Sequence, residues 1–141
     1  MAVYTLISEN ELKKFISEYD LGTVITYEGI AEGVENSNFF LRTTSDDYIL
    51  TLYEKRVERK DLPFFIGLME HLAKKSFSAP VPIRAKDGDS LRELCGKPAV
   101  VCSFLHGACK KNITANHCNQ LGEAAAQLHL AASDLNLKRE N

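Results

Sequence analysis

Apolar residues that recur at helical spacing predict three helices, near the start, in the middle and near the end of the chain. Ser8 and Glu11 have the spacing of a capping box at the start of the first helix. Asp61 and Thr114 are the predicted N-caps of the other two, and the second helix should end before the prolines of "SFSAPVP". The apolar positions of the three helices are, in chain order, Leu12, Phe15, Ile16 and Tyr19; Leu62, Phe65, Ile66, Met69, Leu72 and Ala73; and Cys118, Leu121, Ala125, Leu128 and Ala132.

Alternating and β-branched stretches predict an antiparallel sheet that the middle helix crosses. Strands are predicted, in chain order, at "TVITYEGI", "NFFLRTT", "YILTLYE", "PIRA", "LRELCG" and "PAVVCSFL". The polar string "TSDD" is typical of a hairpin turn between the second and third strands. The last strand is almost wholly apolar, so we expect it to be buried. The chain is therefore predicted to be α+β, with about six strands.

Composition narrows the class of protein. The chain has 141 residues, of which 45% are apolar and 26% charged, which is ordinary for one globular domain. The net charge of −2 and the scattered Lys and Arg residues argue against nucleic acid as a partner. No apolar run approaches the roughly 20 residues of a membrane span, and the start does not resemble a signal peptide, so we expect a cytoplasmic protein without membrane contact. The sequence has no C-x-x-C pair, so neither a zinc site nor a redox motif is indicated. The cysteines are interpreted as reduced structural thiols: Cys95, Cys102, Cys109 and Cys118.

The loop "GIAEGVENSN" between the first two predicted strands is the first candidate for chemistry. Glycine allows a backbone to approach a phosphate closely, so a strand, glycine loop and strand can cover a nucleotide. The loop is neither G-x-G-x-x-G nor a Walker A sequence, and taken alone it favours a plain hairpin over a nucleotide cover. The order of elements favours the first interpretation, because it is that of a protein-kinase-like small lobe followed by a hinge.

Four stretches carry a closer resemblance. They are "EYDLGTVITYEGIAEGVENSNFFLRTTSDDYILTLYEKR", "DLPFFIGLMEHLAKK", "PVPIRAKDG" and "LGEAAAQLHLAA". Together they resemble the homoserine kinases of the aminoglycoside phosphotransferase and choline kinase superfamily. The resemblance implies a kinase-like small lobe over residues 1–106, then a hinge connection and the first helix of an incomplete large lobe over residues 107–141.

The resemblance also implies an activity and a set of binding residues. The activity is ATP-dependent phosphorylation of the homoserine hydroxyl, with Mg²⁺, in threonine biosynthesis. The residues above the nucleotide phosphates would be Gly33, Asn36, Ser37 and Asn38, within a segment from Gly33 to Asn38 that we call the glycine loop. The hinge would consist of Ser103, Phe104, Leu105 and His106, whose backbone groups would pair with adenine. Most of these roles belong to backbone groups, so the identity of the side chain is weak evidence for or against them.

Two positions depart from the wider superfamily. The third strand usually carries a Lys or Arg for the α- and β-phosphates, and Thr51 stands in its place. The acidic residue expected on the crossing helix is replaced by Phe65. Lys55 should face the same side of the strand as Thr51, but about 13 Å away. Glu70 is interpreted as a solvated helix position, so the phosphate-binding cation stays unidentified.

The residues of phosphoryl transfer itself are absent from these 141 residues. Neither an H-x-D-x-x-x-x-N string nor a D-F-G-like string occurs, so no catalytic residue and no metal ligand is assigned. Three interpretations stay open: the nucleotide-binding portion of a homoserine kinase, a catalytically inactive nucleotide-binding module, and an interaction domain whose last helix pairs with a partner. The apolar stripe of that helix predicts self-association or fraying.

Overall fold

The computed structural model describes residues 3–139. The first two residues of the predicted small lobe and the last two of the predicted large-lobe segment lie outside the described residues. Five strands form one antiparallel sheet in the order β1-β2-β3-β5-β4. The elements are α1 (Glu9–Ile16), β1 (Val24–Gly29), β2 (Ser37–Thr43), β3 (Asp47–Leu52), a 3₁₀ turn (Arg59–Asp61), α2 (Leu62–Lys74), β4 (Arg92–Leu94), β5 (Lys97–Ser103) and α3 (Ala115–Ala132). The α+β small-lobe architecture is thus confirmed.

One predicted strand is wrong. "PIRA" contributes only an isolated bridge between Pro82 and Cys102, with Ile83 N–H donating to the Val101 carbonyl at 2.8 Å. The segment runs beside β5, but Pro80 and Pro82 are two residues apart and so lie on the same side of it. Because proline has no N–H, neither residue can donate a hydrogen bond to a neighbouring strand. A regular ladder cannot extend through such a segment, so the sheet has five strands rather than six.

The sheet has two different faces because successive side chains of a strand point to opposite sides. The face that we call the core face carries Phe39, Leu41, Leu50, Leu52 and Val101, all of them buried. The opposite face, which we call the open face, carries Asn38, Phe40, Ile49, Thr51 and Cys102. The core face therefore holds the main hydrophobic core, and the open face is only partly covered.

Helix α1 covers the core face as the sequence predicts. The Ser8 hydroxyl accepts from the Glu11 N–H at 3.3 Å, and the Glu11 carboxylate accepts from the Ser8 N–H at 3.0 Å, which completes the capping box. The predicted apolar face is buried, and it consists of Leu12, Phe15, Ile16 and Tyr19.

Helix α2 packs on the open face, where Ile66 meets Val100 and Cys102. Asp61 occupies the predicted N-cap position, but its side chain makes no capping hydrogen bond. Its carboxylate instead accepts from Nε of Arg139 at 2.9 Å, and the helix is entered through the 3₁₀ turn. Asp61 is therefore used to hold the segment that follows α3.

The cysteines are all free, and only two of them pack in the fold. Cys102 is buried and Cys95 is partly buried, whereas Cys109 and Cys118 are exposed. The interpretation as structural thiols is therefore wrong for the last two, of which Cys109 lies in the connection to α3 and Cys118 lies in the helix itself.

Helix α3 begins at the predicted cap, where the Thr114 hydroxyl accepts from the His117 N–H at 3.4 Å. None of its residues is buried. The segment after it contacts α2 through Asp134, whose carboxylate lies 2.9 Å from Nε2 of His71 and 2.6 Å from Nζ of Lys75. No helix within residues 3–139 has the length and apolar character needed to cross a membrane.

The apolar stripe of α3 is exposed at Cys118, Leu121 and Ala125 and half-buried at Leu128 and Ala132, which allows a direct test of self-association. Leu121 and Leu130 are equally exposed, at 72% and 74%, but a separation of nine residues places them on opposite sides of the helix. We expect Leu121→Gln, within the stripe, to reduce any dimer seen by analytical ultracentrifugation, while Leu130→Gln leaves it unchanged. Neither substitution should alter the melting temperature, because both side chains are already in water. Equal loss of dimer in both variants would contradict association through the stripe.

Candidate functional site

A cleft of about 350 Å³ lies on the open face, between the sheet, α2 and the hinge. Its lining consists of Ile49, Thr51, Tyr53, Met69, Pro80, Cys102, Ser103, Phe104 and Leu105. Strand alternation brings Ile49 and Thr51 to it from β3, and β5 ends at its rim. A mostly apolar cleft of this size with a few polar groups is typical of a small-molecule site.

The hinge is anchored on both sides, which leaves part of its backbone available. Ser103 N–H donates to the Val81 carbonyl and Phe104 N–H to the Asp47 carbonyl, at 2.9 and 3.2 Å. Within residues 3–139, the backbone N–H groups of Leu105 and His106 make no hydrogen bond. All four predicted hinge residues therefore lie at or beside the cleft, and two of them offer free donors to a ligand.

Aromatic contacts stiffen this edge of the cleft. The Phe104 ring meets Phe40 of β2 edge to face, with ring centroids 5.2 Å apart, and it meets His106 in the same way at 5.1 Å. Arg42 lies over Phe40 at 5.5 Å and forms a two-pronged ion pair with Asp47. The hinge is thus packed against the two neighbouring strands rather than held by its backbone alone.

The glycine loop contributes no residue to the lining of the cleft, and its last two residues already belong to β2. Gly33 has a φ of 119°, a conformation that side chains other than glycine rarely adopt. Oδ1 of Asn36 accepts from the Glu54 N–H at 3.4 Å, which ties the loop to the end of β3. Asn38 lies on the open face directly across from Thr51, whereas the buried Ser37 side chain points to the core face.

Thr51 and Asn38 contact each other, with Oγ1 of Thr51 donating to Oδ1 of Asn38 at 2.8 Å. No Lys or Arg stands among the nine residues that line the cleft. Lys55 lies beyond the end of β3 and does not line the cleft; it lines another cavity, of about 440 Å³, together with Val34 and Glu35 of the glycine loop.

The structure shows the surroundings of the two α2 positions that the sequence analysis considered, Glu70 and Phe65. Glu70 was expected to be solvated, but its side chain is only 24% exposed, and it accepts from Nη2 of Arg84 at 2.8 Å. That expectation is wrong because Arg84 and Ser90, in the connection between α2 and β4, both lie against the helix. Phe65, in the place of an acidic residue, packs under the Arg139 guanidinium at 5.0 Å.

The two titratable side chains that line the cleft are uncharged at neutral pH. Burial raises the pKa of Cys102 to about 11 and is the main cause that raises the pKa of Tyr53 to about 12. Neither residue can act as a base or a thiolate nucleophile at neutral pH. Within residues 3–139, the arrangement can bind and orient a ligand, but it supplies no general base in the cleft.

A polar cluster on the core face was not foreseen. The Glu54 carboxylate, 9% exposed, accepts from the hydroxyls of Thr5 and Ser37, both at 2.7 Å, and forms an ion pair with Lys97. Burial by itself would raise the pKa of Glu54, but the hydrogen bonds from Lys97, Ser37 and Thr5 outweigh it and lower the pKa. The signal was available, since Glu54 continues the apolar alternation of Leu50 and Leu52.

Comparison with known proteins agrees with this geometry. The chain is 56% identical over all 141 residues to a homoserine kinase of Agrobacterium fabrum, and 55% identical to one of Paramagnetospirillum magneticum. It spans 44% and 43% of the length of these relatives. A crystal structure of spectinomycin phosphotransferase, in complex with ADP and spectinomycin, superimposes with a TM-score of 0.71 at 16% identity, over 96% of this chain and 43% of that one.

The match to a family model is the most general of these findings. Residues 26–139 match the model of the phosphotransferase enzyme family, from β1 through the segment that follows α3. The matched range includes the glycine loop, the cleft and the hinge, so the likeness extends over the whole candidate site. The chain belongs to the phosphotransferase enzyme family.

Proposed function

We propose that this chain forms the nucleotide-binding lobe of a kinase that transfers the γ-phosphoryl group of ATP to the side-chain hydroxyl of homoserine. The observation that supports the proposal best is 56% identity to a homoserine kinase across all 141 residues, which include the cleft and both of its ends. The product, O-phosphohomoserine, would enter threonine biosynthesis in the cytoplasm.

The nucleotide is assigned to the cleft between the hinge and the glycine loop. The adenine ring would lie against Ile49 and Cys102, where burial of its apolar surface is favourable, and would take hydrogen bonds from the free N–H groups of Leu105 and His106. The phosphates would then extend toward Thr51 and Gly33. This direction follows the order in which kinases use a hinge and a glycine-rich loop.

Mg²⁺, when bound with ATP, neutralises charge on the phosphates. Within residues 3–139 no three His, Cys, Asp or Glu side chains come together as a metal site. No residue of this chain is therefore assigned as a ligand of the ion, and the residues described here are given the roles of binding and orienting the nucleotide.

Titration with ATP, followed by amide chemical shifts in an ¹⁵N-labelled chain, tests the assignment. We expect the largest shifts in two segments, the glycine loop and the hinge. Affinity should be low, because the cleft covers only one side of the nucleotide. Shifts confined to other segments would contradict the proposed site.

Two matched isoleucine variants sharpen this test. Ile49 is partly buried in the cleft, whereas Ile25, also in a strand, is 57% exposed on the edge of the sheet. Ile49→Phe should fill the cleft and abolish the shifts, while Ile25→Phe should leave them unchanged. ATP binding that persists in Ile49→Phe would place the nucleotide elsewhere.

A further inference from the structure

We propose that a neutral pair, Asn38 oriented by Thr51, binds the nucleotide phosphates in the place where related kinases use a lysine. Asn38 would be the residue that touches the phosphate, and Thr51 would be a positioning residue. The inference rests on the proposed function, and the experiment below separates the failure of one from the failure of the other.

The position of the pair supports this role. Asn38 and Thr51 are direct partners across β2 and β3, so both side chains lie on the open face. Thr51 lines the cleft, and Asn38 ends the glycine loop. The Asn38 carbonyl also accepts from the Ile30 N–H at 2.8 Å, which closes the base of the loop. The pair thus stands where the cleft meets the loop.

The hydrogen bond between the two side chains determines which of their polar atoms remain available to a ligand. Because the Thr51 hydroxyl donates to Oδ1 of Asn38 at 2.8 Å, the Asn38 carboxamide presents its NH₂ group away from that bond. Within residues 3–139, neither N–H of this NH₂ group finds an acceptor, although Asn38 is partly buried. The NH₂ group is not buried, so it is available to a ligand, and phosphate oxygens are suitable acceptors for it.

Three cations near the loop and α2 are already paired, and Lys55 is not among the residues that line the cleft. The Lys97 ammonium lies on the core face with Glu54, and Arg56 forms an ion pair with Glu35 at 3.4 Å. Arg84 is held by Glu70 at 2.8 Å. Because the lining of the cleft holds no Lys or Arg, the phosphate contact that we infer is the neutral pair formed by Thr51 in the lining and Asn38 beside it.

Three variants, each titrated with ATP and with adenosine, test the pair. Thr51→Val keeps the shape and removes the hydroxyl; we expect it to weaken ATP binding about three- to tenfold and to leave adenosine binding unchanged. Thr51→Ser restores the donor, so its ATP affinity should lie within about twofold of the unaltered chain. Asn38→Asp still accepts from Thr51 but places a negative charge beside the phosphates, so it should weaken ATP more than tenfold and spare adenosine.

The comparison of the two ligands separates a phosphate contact from a structural effect. Equal weakening of ATP and adenosine by Thr51→Val would overturn the inference, because it would indicate a general disturbance of the cleft. Unchanged ATP affinity in both Thr51→Val and Asn38→Asp would also overturn it while leaving the proposed function intact. If the unaltered chain bound neither ligand in the cleft, the proposed function would fail and the inference with it.

Discussion

The 141-residue chain by itself is expected to form no O-phosphohomoserine from ATP and homoserine. Phosphoryl transfer of this kind needs a side chain that positions the acceptor hydroxyl and ligands that hold the metal ion. The sequence contains no H-x-D-x-x-x-x-N string and no D-F-G string, and the titratable side chains lining the cleft, Tyr53 and Cys102, are held uncharged by their raised pKa values. The chain would therefore bind and orient ATP, but it would lack the groups that act on the homoserine hydroxyl.

A coupled assay for ADP release, with homoserine present, measures this. The homoserine kinase of Agrobacterium fabrum, 56% identical over the shared length, is the matched positive control under the same conditions. We expect turnover at least about 10³-fold below that of the control, which itself should lie in the usual range of about 1 to 10³ s⁻¹. Turnover of this chain within that range would contradict the assignment of a binding role alone.

The elements that the sequence predicts correctly are those whose signals are local. The capping box of Ser8 and Glu11 lies within four residues, and the start of α3 depends on Thr114 and His117 in the same way. Asp61 stands at the predicted N-cap position but makes no capping hydrogen bond, because its carboxylate is engaged by Arg139, a residue 78 positions away. Local patterns do not reveal such a competitor, since it is brought near only by the packed fold.

In the candidate site, too, local signals could be predicted from the sequence, whereas contacts between distant residues could not. The order of elements places Ser103, Phe104 and Leu105 correctly at the end of the last strand, where they line the cleft, but the glycine loop contributes no residue to that lining. The pairing of Thr51 with Asn38 follows from the register of β2 and β3, which the turn between the strands sets. The cluster around Glu54 could not be assembled in advance, since Thr5 and Lys97 reach it from sequence separations of 49 and 43 residues.

Replacement of Glu54 is expected to have the largest effect on stability. The carboxylate joins the segment before α1, the start of β2 and the start of β5 through Thr5, Ser37 and Lys97. Glu54→Gln keeps the size of the side chain but leaves the Lys97 ammonium, 33% exposed, without its counter-ion. Loss of one partner from such a pair costs about 3 kcal/mol in the free energy of unfolding at pH 7, measurable by urea denaturation.

The pH dependence of this loss distinguishes an ionic effect from a packing effect. Because the folded-state pKa of Glu54 lies below its usual value of 4.5, the carboxylate contributes stability above that pH and loses it as the pH falls through the folded pKa. The difference between the unaltered chain and Glu54→Gln should therefore be full above about pH 5 and shrink in more acidic solution. Glu93 provides a matched control: it pairs with Arg59 at 3.2 Å but is 55% exposed, so Glu93→Gln should change stability by less than about 0.5 kcal/mol. A loss in Glu54→Gln that stayed constant down to pH 3 would show that the shape of the side chain, and not its charge, holds the cluster together.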